Sequence, residues 1–370
     1  MTLRRVGISL LAALLAMLSG RISAAEKSGK DVEIREQLGV MLQLDNMLPE
    51  SHVWGHRARD VDEQFEILEN AGVKWTRVAI LWEEIEAKRG QWNWEAADKV
   101  VHSAKEHHLN ILWIVGGTAL WDSTDKDWDG APKDIGDPHG AFPQFVQKLV
   151  ERYKSEIQYW EVRNEPNLDK FPVETYAAYL EQAYHAIKRE DPKAHVVLGG
   201  LGGKVPQELG YFKKLVNILK AKGGPMPFEI ANFHVYPNQA AEEGFKGADA
   251  VGKFIDWSSM RIDKEIAELG LGTMPAWITE FDYPAEAKHQ TDDPEFHAGE
   301  ASQVNFVKAM FTRMAAGHPE RKVFYASLLD DFNSGGEFKS TGLIESDKDH
   351  HILKHRESLA ALRELFKRKD

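Results

Sequence analysis

The feature that most constrains this chain is an alternation. From residue 36 onward, short apolar runs of strand type take turns with longer amphipathic stretches of helical period. Strands are expected near Leu38 to Leu42, Trp75 to Trp82, Asn110 to Val115, from Ile157 to about Glu165, His195 to Leu198, Glu229 to Val235, Ala276 to Glu280 and Lys322 to Leu329. Helices are expected over Val61 to Asn70, Trp94 to His107, Phe142 to Tyr153, Thr175 to Arg189, Gln207 to Ala221, Lys253 to Leu269, Glu300 to Ala315 and Ile352 to Phe366. In the first helix Phe65, Ile67 and Leu68 make the apolar side and Gly72 the stop, and Asp191-Pro192 ends the fourth. Strands separated by helices pair in parallel, and parallel strands buried on both faces read as continuous apolar runs. Eight such units in one chain imply an α/β fold, a single-domain (β/α)8 TIM barrel. An open doubly wound sheet is the competitor. No Gly-x-Gly-x-x-Gly follows any strand, and Gly199-Gly-Leu-Gly-Gly203 lacks that spacing, so it reads as a tight turn.

A barrel puts every strand-to-helix loop on one face, where such enzymes keep their chemistry. Polar residues collect at the expected carboxyl ends: Arg77 on strand two, Asn164 and Glu165 on strand four, His234 and Tyr236 on strand six, Glu280 and Asp282 on strand seven, Asp330 and Asp331 on strand eight. Strand four is the run Ile157-Gln-Tyr-Trp-Glu-Val-Arg-Asn-Glu-Pro-Asn167. Pro166 has no N–H for a ladder, so the strand stops near Glu165. Glu165 and Glu280 are far apart in sequence, yet both would project into one barrel mouth. Paired carboxylates of that kind can hydrolyse a glycosidic bond, one as a protonated acid and the other as anionic nucleophile or base. Roughly 5 Å between them predicts retention, and a wider gap predicts inversion.

These two stretches carry a family resemblance. Trp160-Glu-Val-Arg-Asn-Glu-Pro-Asn167 resembles the strand-four signature of the clan A retaining glycoside hydrolases, and Ile278-Thr-Glu-Phe281 is similar to that clan's strand-seven nucleophile motif. The form is most similar to family 39, with family 5 next. Thr341-Gly-Leu-Ile-Glu345 also resembles the stretch that closes such barrels. By that likeness Glu165 is the general acid/base and Glu280 the nucleophile. Glu165 would need a raised pKa, and Glu280 donors that hold it ionised. Asn164 would grip the sugar 2-hydroxyl. Arg77 and Tyr236 are candidate donors to Glu280, and His234 would orient Glu165 or the sugar. For Arg77 the alternative is a barrel-interior salt bridge, and for Tyr236 and His234 a satisfied core polar group. Departures are visible too. Arg163 stands where the family has an aromatic, strand eight offers no terminal tryptophan as a sugar platform, and the chain has no room for an accessory β-sandwich.

The expected loop over residues 117–140 is long and aromatic, and long loops in compact domains are usually functional. Trp121 and Trp128 within it, with Trp82 and Trp54 near other strand ends, could stack on sugar rings or could be packing aromatics. Asp125-Lys-Asp-Trp-Asp-Gly130 resembles the start of a calcium loop, but position twelve is Gly136 where the bidentate Glu is needed. The His107-His108 and His350-His351 pairs have no suitably spaced carboxylate for zinc. No metal and no cofactor are expected. The 370 residues contain no cysteine, which excludes disulfides and thiolate chemistry, and the formal net charge of −12 suits an uncharged substrate better than a polyanion. The one basic cluster, Lys367-Arg368-Lys369, is too short to suggest a nucleic-acid partner. Residues 1–25 read as a signal peptide, with Arg4 and Arg5 before an apolar run and Ser23-Ala24-Ala25 for cleavage; kept uncleaved, the same stretch would be an anchor. Residues 26–35 are a linker and 36–370 the catalytic domain. The combined expectation is a periplasmic or secreted monomer, free of the membrane after cleavage, that hydrolyses a poly- or oligosaccharide with retention, as an endo-acting exopolysaccharide hydrolase. The alternatives are a non-catalytic carbohydrate-binding barrel and a transglycosidase in polysaccharide export.

Overall fold

The computed structural model describes residues 36–42, 44, 61–169, 172–240, 242–247, 249–286, 299–331, 339–348 and 351–366. The signal peptide, the linker, Trp54, His350 and the Lys367-Arg368-Lys369 cluster lie outside the described residues. In chain order the elements are β1 (Leu38–Met41), α1 (Val61–Asn70), β2 (Trp75–Ala79), α2 (Trp82–Ile85), α3 (Glu95–Glu106), β3 (Asn110–Val115), α4 (Ala141–Tyr153), β4 (Tyr159–Asn164), α5 (Val173–Glu190), β5 (His195–Gly200), α6 (Val205–Lys222), β6 (Ala231–His234), α7 (Ala250–Glu268), β7 (Ala276–Phe281), α8 (Glu300–Gly317), β8 (Val323–Tyr325), β9 (Ile344–Ser346), β10 (Ile352–His355) and α9 (Glu357–Phe366).

The eight strands run in the order β5-β4-β3-β2-β1-β8-β7-β6. All their pairings are parallel. Bridges Val197↔Ile230 and Leu201↔Phe233 close β5 onto β6. The result is the (β/α)8 barrel. Its core is divided by the alternation of strand side chains. One face of each strand packs on the helices, as Val78, Trp113 and Trp160 do. The other faces inward, where Trp75, Leu112, Val197, Ile230, Trp277 and Phe324, with Tyr159 against them, fill the floor. Gly39 is part of that fit, because a Cβ there would stand 2.1 Å from the Phe324 ring.

Three expected elements differ, strand eight among them, which ends at Tyr325 short of Leu329. Strand two stops at Ala79. Trp82 instead opens α2, with its N–H on the Gly116 carbonyl (3.0 Å) and the Glu84 carboxylate capping the Leu81 N–H (2.7 Å). The last expected helix loses its first turn, because Ile352–His355 pairs antiparallel with Ile344–Ser346. Among the described residues no helix is long and apolar enough to cross a membrane.

Candidate active site

The mouth is built around Arg77. Two residues above Trp75 on the inner face of β2, it is fully buried. A guanidinium has five N–H donors in a fixed fork, and each finds an acceptor here. Nε and Nη2 take the two oxygens of Glu161 on β4 (2.7 and 2.8 Å), and Nη2 also reaches Asn164 Oδ1 (2.7 Å). Nη1 reaches Glu280 Oε1 (2.6 Å) and Met41 Sδ (3.6 Å). Burial works against its charge, but Glu161 and then Glu280 hold the guanidinium protonated well above its ordinary range. Glu161, fully buried, completes its own set by accepting from the Gly200 N–H (3.0 Å).

Glu280 stands on β7 with its side chain 13% exposed. Tyr236 donates its hydroxyl to Oε2, and His234 Nε2 lies 3.6 Å from Oε1. Burial is the largest influence and would raise the carboxyl, yet His234, Arg77 and the Tyr236 hydroxyl together hold it below the ordinary carboxylate range. Tyr236 itself is pushed well above the usual phenol range by burial and by Glu280, so it remains a donor.

Glu165, just past β4, is the more open carboxyl, 27% exposed. Its backbone has φ +45°, and its N–H donates to the Gly200 carbonyl (2.9 Å). Its Oε1 is 3.0 Å from His234 Nδ1. Either that nitrogen donates to the carboxylate, or a protonated Glu165 donates to the nitrogen. Gly202 makes room for this carboxyl, since a Cβ there would lie 2.0 Å from Oε1. Asn167 steadies that loop by exchanging two hydrogen bonds with Gly202 (2.6 and 3.0 Å). Asn164 is exposed, and with Oδ1 held by Arg77 its amide nitrogen is left to donate outward.

Donor atoms of Glu165, His234 and Glu280 all lie within 4.8 Å of one another. Such a cluster could hold a metal ion, although Glu280 Oε1 is already hydrogen-bonded to a buried guanidinium. Chemically, the site sets one strongly anionic, donor-held carboxylate close to a second, more solvated carboxyl beside an imidazole.

The structure brings Arg77, Asn164, Glu165, His234, Tyr236 and Glu280 together. It does not bring Asp330 or Trp82 to them. Asp330 is buried in an ion pair with Arg356 (2.6 Å) and caps the N–H groups of Gly342 and Ser346. It fastens the end of strand eight to the β9–β10 hairpin, so the expected substrate contact is corrected to a structural one. Trp82 is fully buried, stacked on Phe145 (5.3 Å), with its indole N–H on Glu86 (2.8 Å). No ring face is left for a sugar, and its role is packing. Trp121 is half-buried, tied by its indole N–H to the Glu86 carbonyl (2.8 Å) and covered by Arg89 at 5.4 Å. Trp128 is half-buried in the same loop, whose Ser123 hydroxyl and Asp125 carboxylate bond each other (2.9 Å).

Two residues escaped the sequence reading. Glu161 was detectable, since it shares the inner face of β4 with Tyr159 at period two. Glu208, in the first turn of α6, is fully buried with no hydrogen-bond partner on either oxygen among the described residues, and burial, then Glu165, pushes its carboxyl well above the ordinary range. Nothing in its local sequence signals this.

A barrel with Asn-Glu closing strand four and a donor-held Glu on strand seven defines a clan A glycoside hydrolase. The narrower assignment comes from the glycosyl hydrolase family 10 model, which matches residues 70–318, and the chain belongs to that family. Family 39, suggested by the motif alone, gives way to it. Endo-1,4-beta-xylanase A of Halalkalibacterium halodurans is 25% identical over 233 residues, covering 55% of this chain and 57% of that protein. Endo-1,4-beta-xylanase A of Xylanibacter ruminicola is 22% identical over 258 residues, covering 65% and 66%. The chain thus spans only part of the length of the curated relatives it matches. A family 39 glycoside hydrolase from Bacteroides cellulosilyticus WH2 superposes with a TM-score of 0.65 at 17% identity, over 90% of this chain and 64% of that one. The cellulose synthase subunit Z of Clostridioides difficile does so with 0.60 at 15%, over 88% and 99%. At such identities these two likenesses speak for the fold alone.

Proposed function

We propose that this chain is a retaining β-glycanase that cleaves a neutral, xylan-like polysaccharide from within, with Glu165 as acid/base and Glu280 as nucleophile. The observation that carries the reading is the closeness of the two carboxyls, with oxygens within 4.8 Å, the short spacing expected of a double displacement. The names of the xylanase relatives support the substrate class.

In the first step Glu280 attacks the anomeric carbon while Glu165 gives its proton to the departing glycosidic oxygen. The C–O bond breaks and a glycosyl ester forms on Glu280. Asn164 donates to the 2-hydroxyl, a bond that strengthens as positive charge develops on the ring. In the second step Glu165, now a carboxylate, takes a proton from water as that water attacks the same carbon, and Glu280 leaves. Two inversions give retention. His234, touching both carboxyls, orients Glu165 between the steps. Trp128 and Trp121, both on the loop after β3, line the sugar groove in this reading. Residues 36–370 act as one monomeric catalytic barrel, exported behind the 1–25 signal peptide and the 26–35 linker, without metal or cofactor.

Glu280→Ala should lower turnover by several orders of magnitude, and added azide should restore it with a product of inverted configuration, read by proton NMR. Full activity in Glu280→Gln on a glycan the parent cleaves would remove the nucleophile assignment. Tight glycan binding by the parent without hydrolysis would favour a binding barrel instead.

A further inference from the structure

We propose that Arg163 is a positioning residue that ties the acid/base strand to the strand-three loop carrying Trp128, and so sets where the Glu165 carboxyl meets a bound chain. The inference rests on the retaining mechanism above.

Arg163 has φ +70° and Glu165 has φ +45°. Two non-glycine residues in the left-handed region within three positions are unusual, and such a conformation persists only where the surroundings over-determine it. The register shows what they achieve. The register stays in step, Val162 with Leu198 and Asn164 with Gly200, while Arg163 and Gly199 between them drop out of the pairing. Gly199 permits this kink, because a Cβ there would lie 2.5 Å from the Val162 carbonyl and 2.6 Å from that of Arg163. The left-handed turn at Arg163 breaks the alternation of side chains immediately before the catalytic pair. It presents Asn164 to the mouth, where Arg77 holds it, and delivers Glu165 to His234.

The Arg163 side chain supplies the over-determination. It is only 3% exposed and contacts three separate segments. Nε donates to Asp169 in the loop after β4. Nη2 donates to the Asp129 carbonyl in the loop after β3, one residue from Trp128. The guanidinium lies over the Tyr179 ring of α5 at 5.6 Å. A planar fork can serve all three at once, whereas a lysine ammonium can serve one as a point charge. Position 163 is therefore shared by the loop that would hold the sugar and the strand that would deliver the proton.

A purely structural ion pair would weaken every reaction of the enzyme alike. A positioning role would not. Attack on a glycoside with a strongly acidic phenol needs no proton, and attack on a sugar–sugar bond does. The test compares kcat/KM, which reports the first step, for 2,4-dinitrophenyl β-xylobioside and for xylohexaose. Arg163→Lys should lose about 10²-fold on xylohexaose, the usual penalty for a displaced acid, and less than threefold on the dinitrophenyl substrate. Asp169→Asn, which removes one anchor and keeps the shape, should show the same split at about tenfold, and melting curves establish that both variants are folded. Equal losses on the two substrates, or none, would overturn the positioning role and leave the mechanism standing. A parent enzyme that cleaves neither substrate would overturn both.

Discussion

Two cations of the barrel, one buried at the mouth and one half-buried at the floor, are kept in opposite ways. At the mouth, Arg77 has an acceptor for every donor, most of them carboxylate oxygens. At the floor, Lys322 precedes β8 with its ammonium 4.2 Å from the Trp75 ring and 5.9 Å from that of Trp277. It donates to the Glu36 carbonyl (2.7 Å) and faces no carboxylate in an ion pair among the described residues. The guanidinium is fixed in its charge, whereas burial draws the ammonium down to about 8. Ring faces can seat a cation, but only carboxylates pin its protonation state against burial. The floor needs only a plug. The mouth keeps a permanent positive charge beside Glu280, where burial alone would raise the carboxyl.

The comparison is tested most severely at Arg77. Arg77→Met leaves Glu161 buried and uncompensated, so denaturant unfolding should show a loss of about 3–5 kcal/mol, along with loss of activity; a variant as stable as the parent would show that the mouth depends on packing as the floor does. Tyr236→Phe is gentler. The missing bond to a charged group, worth about 1.5–3 kcal/mol, lets the Glu280 pKa rise, so the acidic limb of kcat/KM should move up by about 1–2 pH units. An unmoved limb would mean that His234 and Arg77 suffice.

Glu208 asks what a buried carboxyl does near the mouth without a cation. Its folded pKa lies above its unfolded one, so the folded state binds the extra proton and stability falls as pH rises above about 4.3. Glu208→Gln lacks that loss, and its melting temperature relative to the parent should climb between pH 5 and 8. A constant difference would indicate a partnered Glu208. The smallest effect belongs to Lys322. Its folded pKa is lowered, so the unfolded chain holds the proton longer and stability rises between about pH 8 and the unfolded value near 10.4. Lys322→Met should flatten that rise in a melting series across the same window.

Much of this was legible in the chain because barrel strands announce themselves twice, by apolar runs and by the polar residues that end them. Arg77, Asn164, Glu165, His234, Tyr236 and Glu280 all sat at such ends, and the structure gathers them. Asp330 sat at one too, but β8 stops at Tyr325, and the chain turns so that this carboxylate meets Arg356. That partner lies beyond any local pattern. Trp82 misled for a similar reason. A tryptophan after a strand reads as a platform until the neighbouring helix α4 supplies Phe142 and Phe145 to cover it. Glu161 could have been read by counting in twos from Tyr159, but a carboxylate in an apolar strand has meaning only once Arg77 is known to face it. Arg163 looked like a departure from a motif. Its reason is a left-handed kink, which depends on a glycine of the next strand.

The closure of the barrel has a consequence of a different kind. β2 and β3 share five consecutive pairs, while β5 and β6 are joined by two isolated bridges. Opening such a junction locally takes less free energy than opening a full ladder. That junction carries the His234 N–H, bonded to the Leu201 carbonyl (2.8 Å), directly beneath the imidazole that touches Glu165. A place where the cylinder can breathe is therefore the place where His234 is seated against Glu165, and amide exchange along Leu201 and His234 would keep time with the residence of that pair in its closed position.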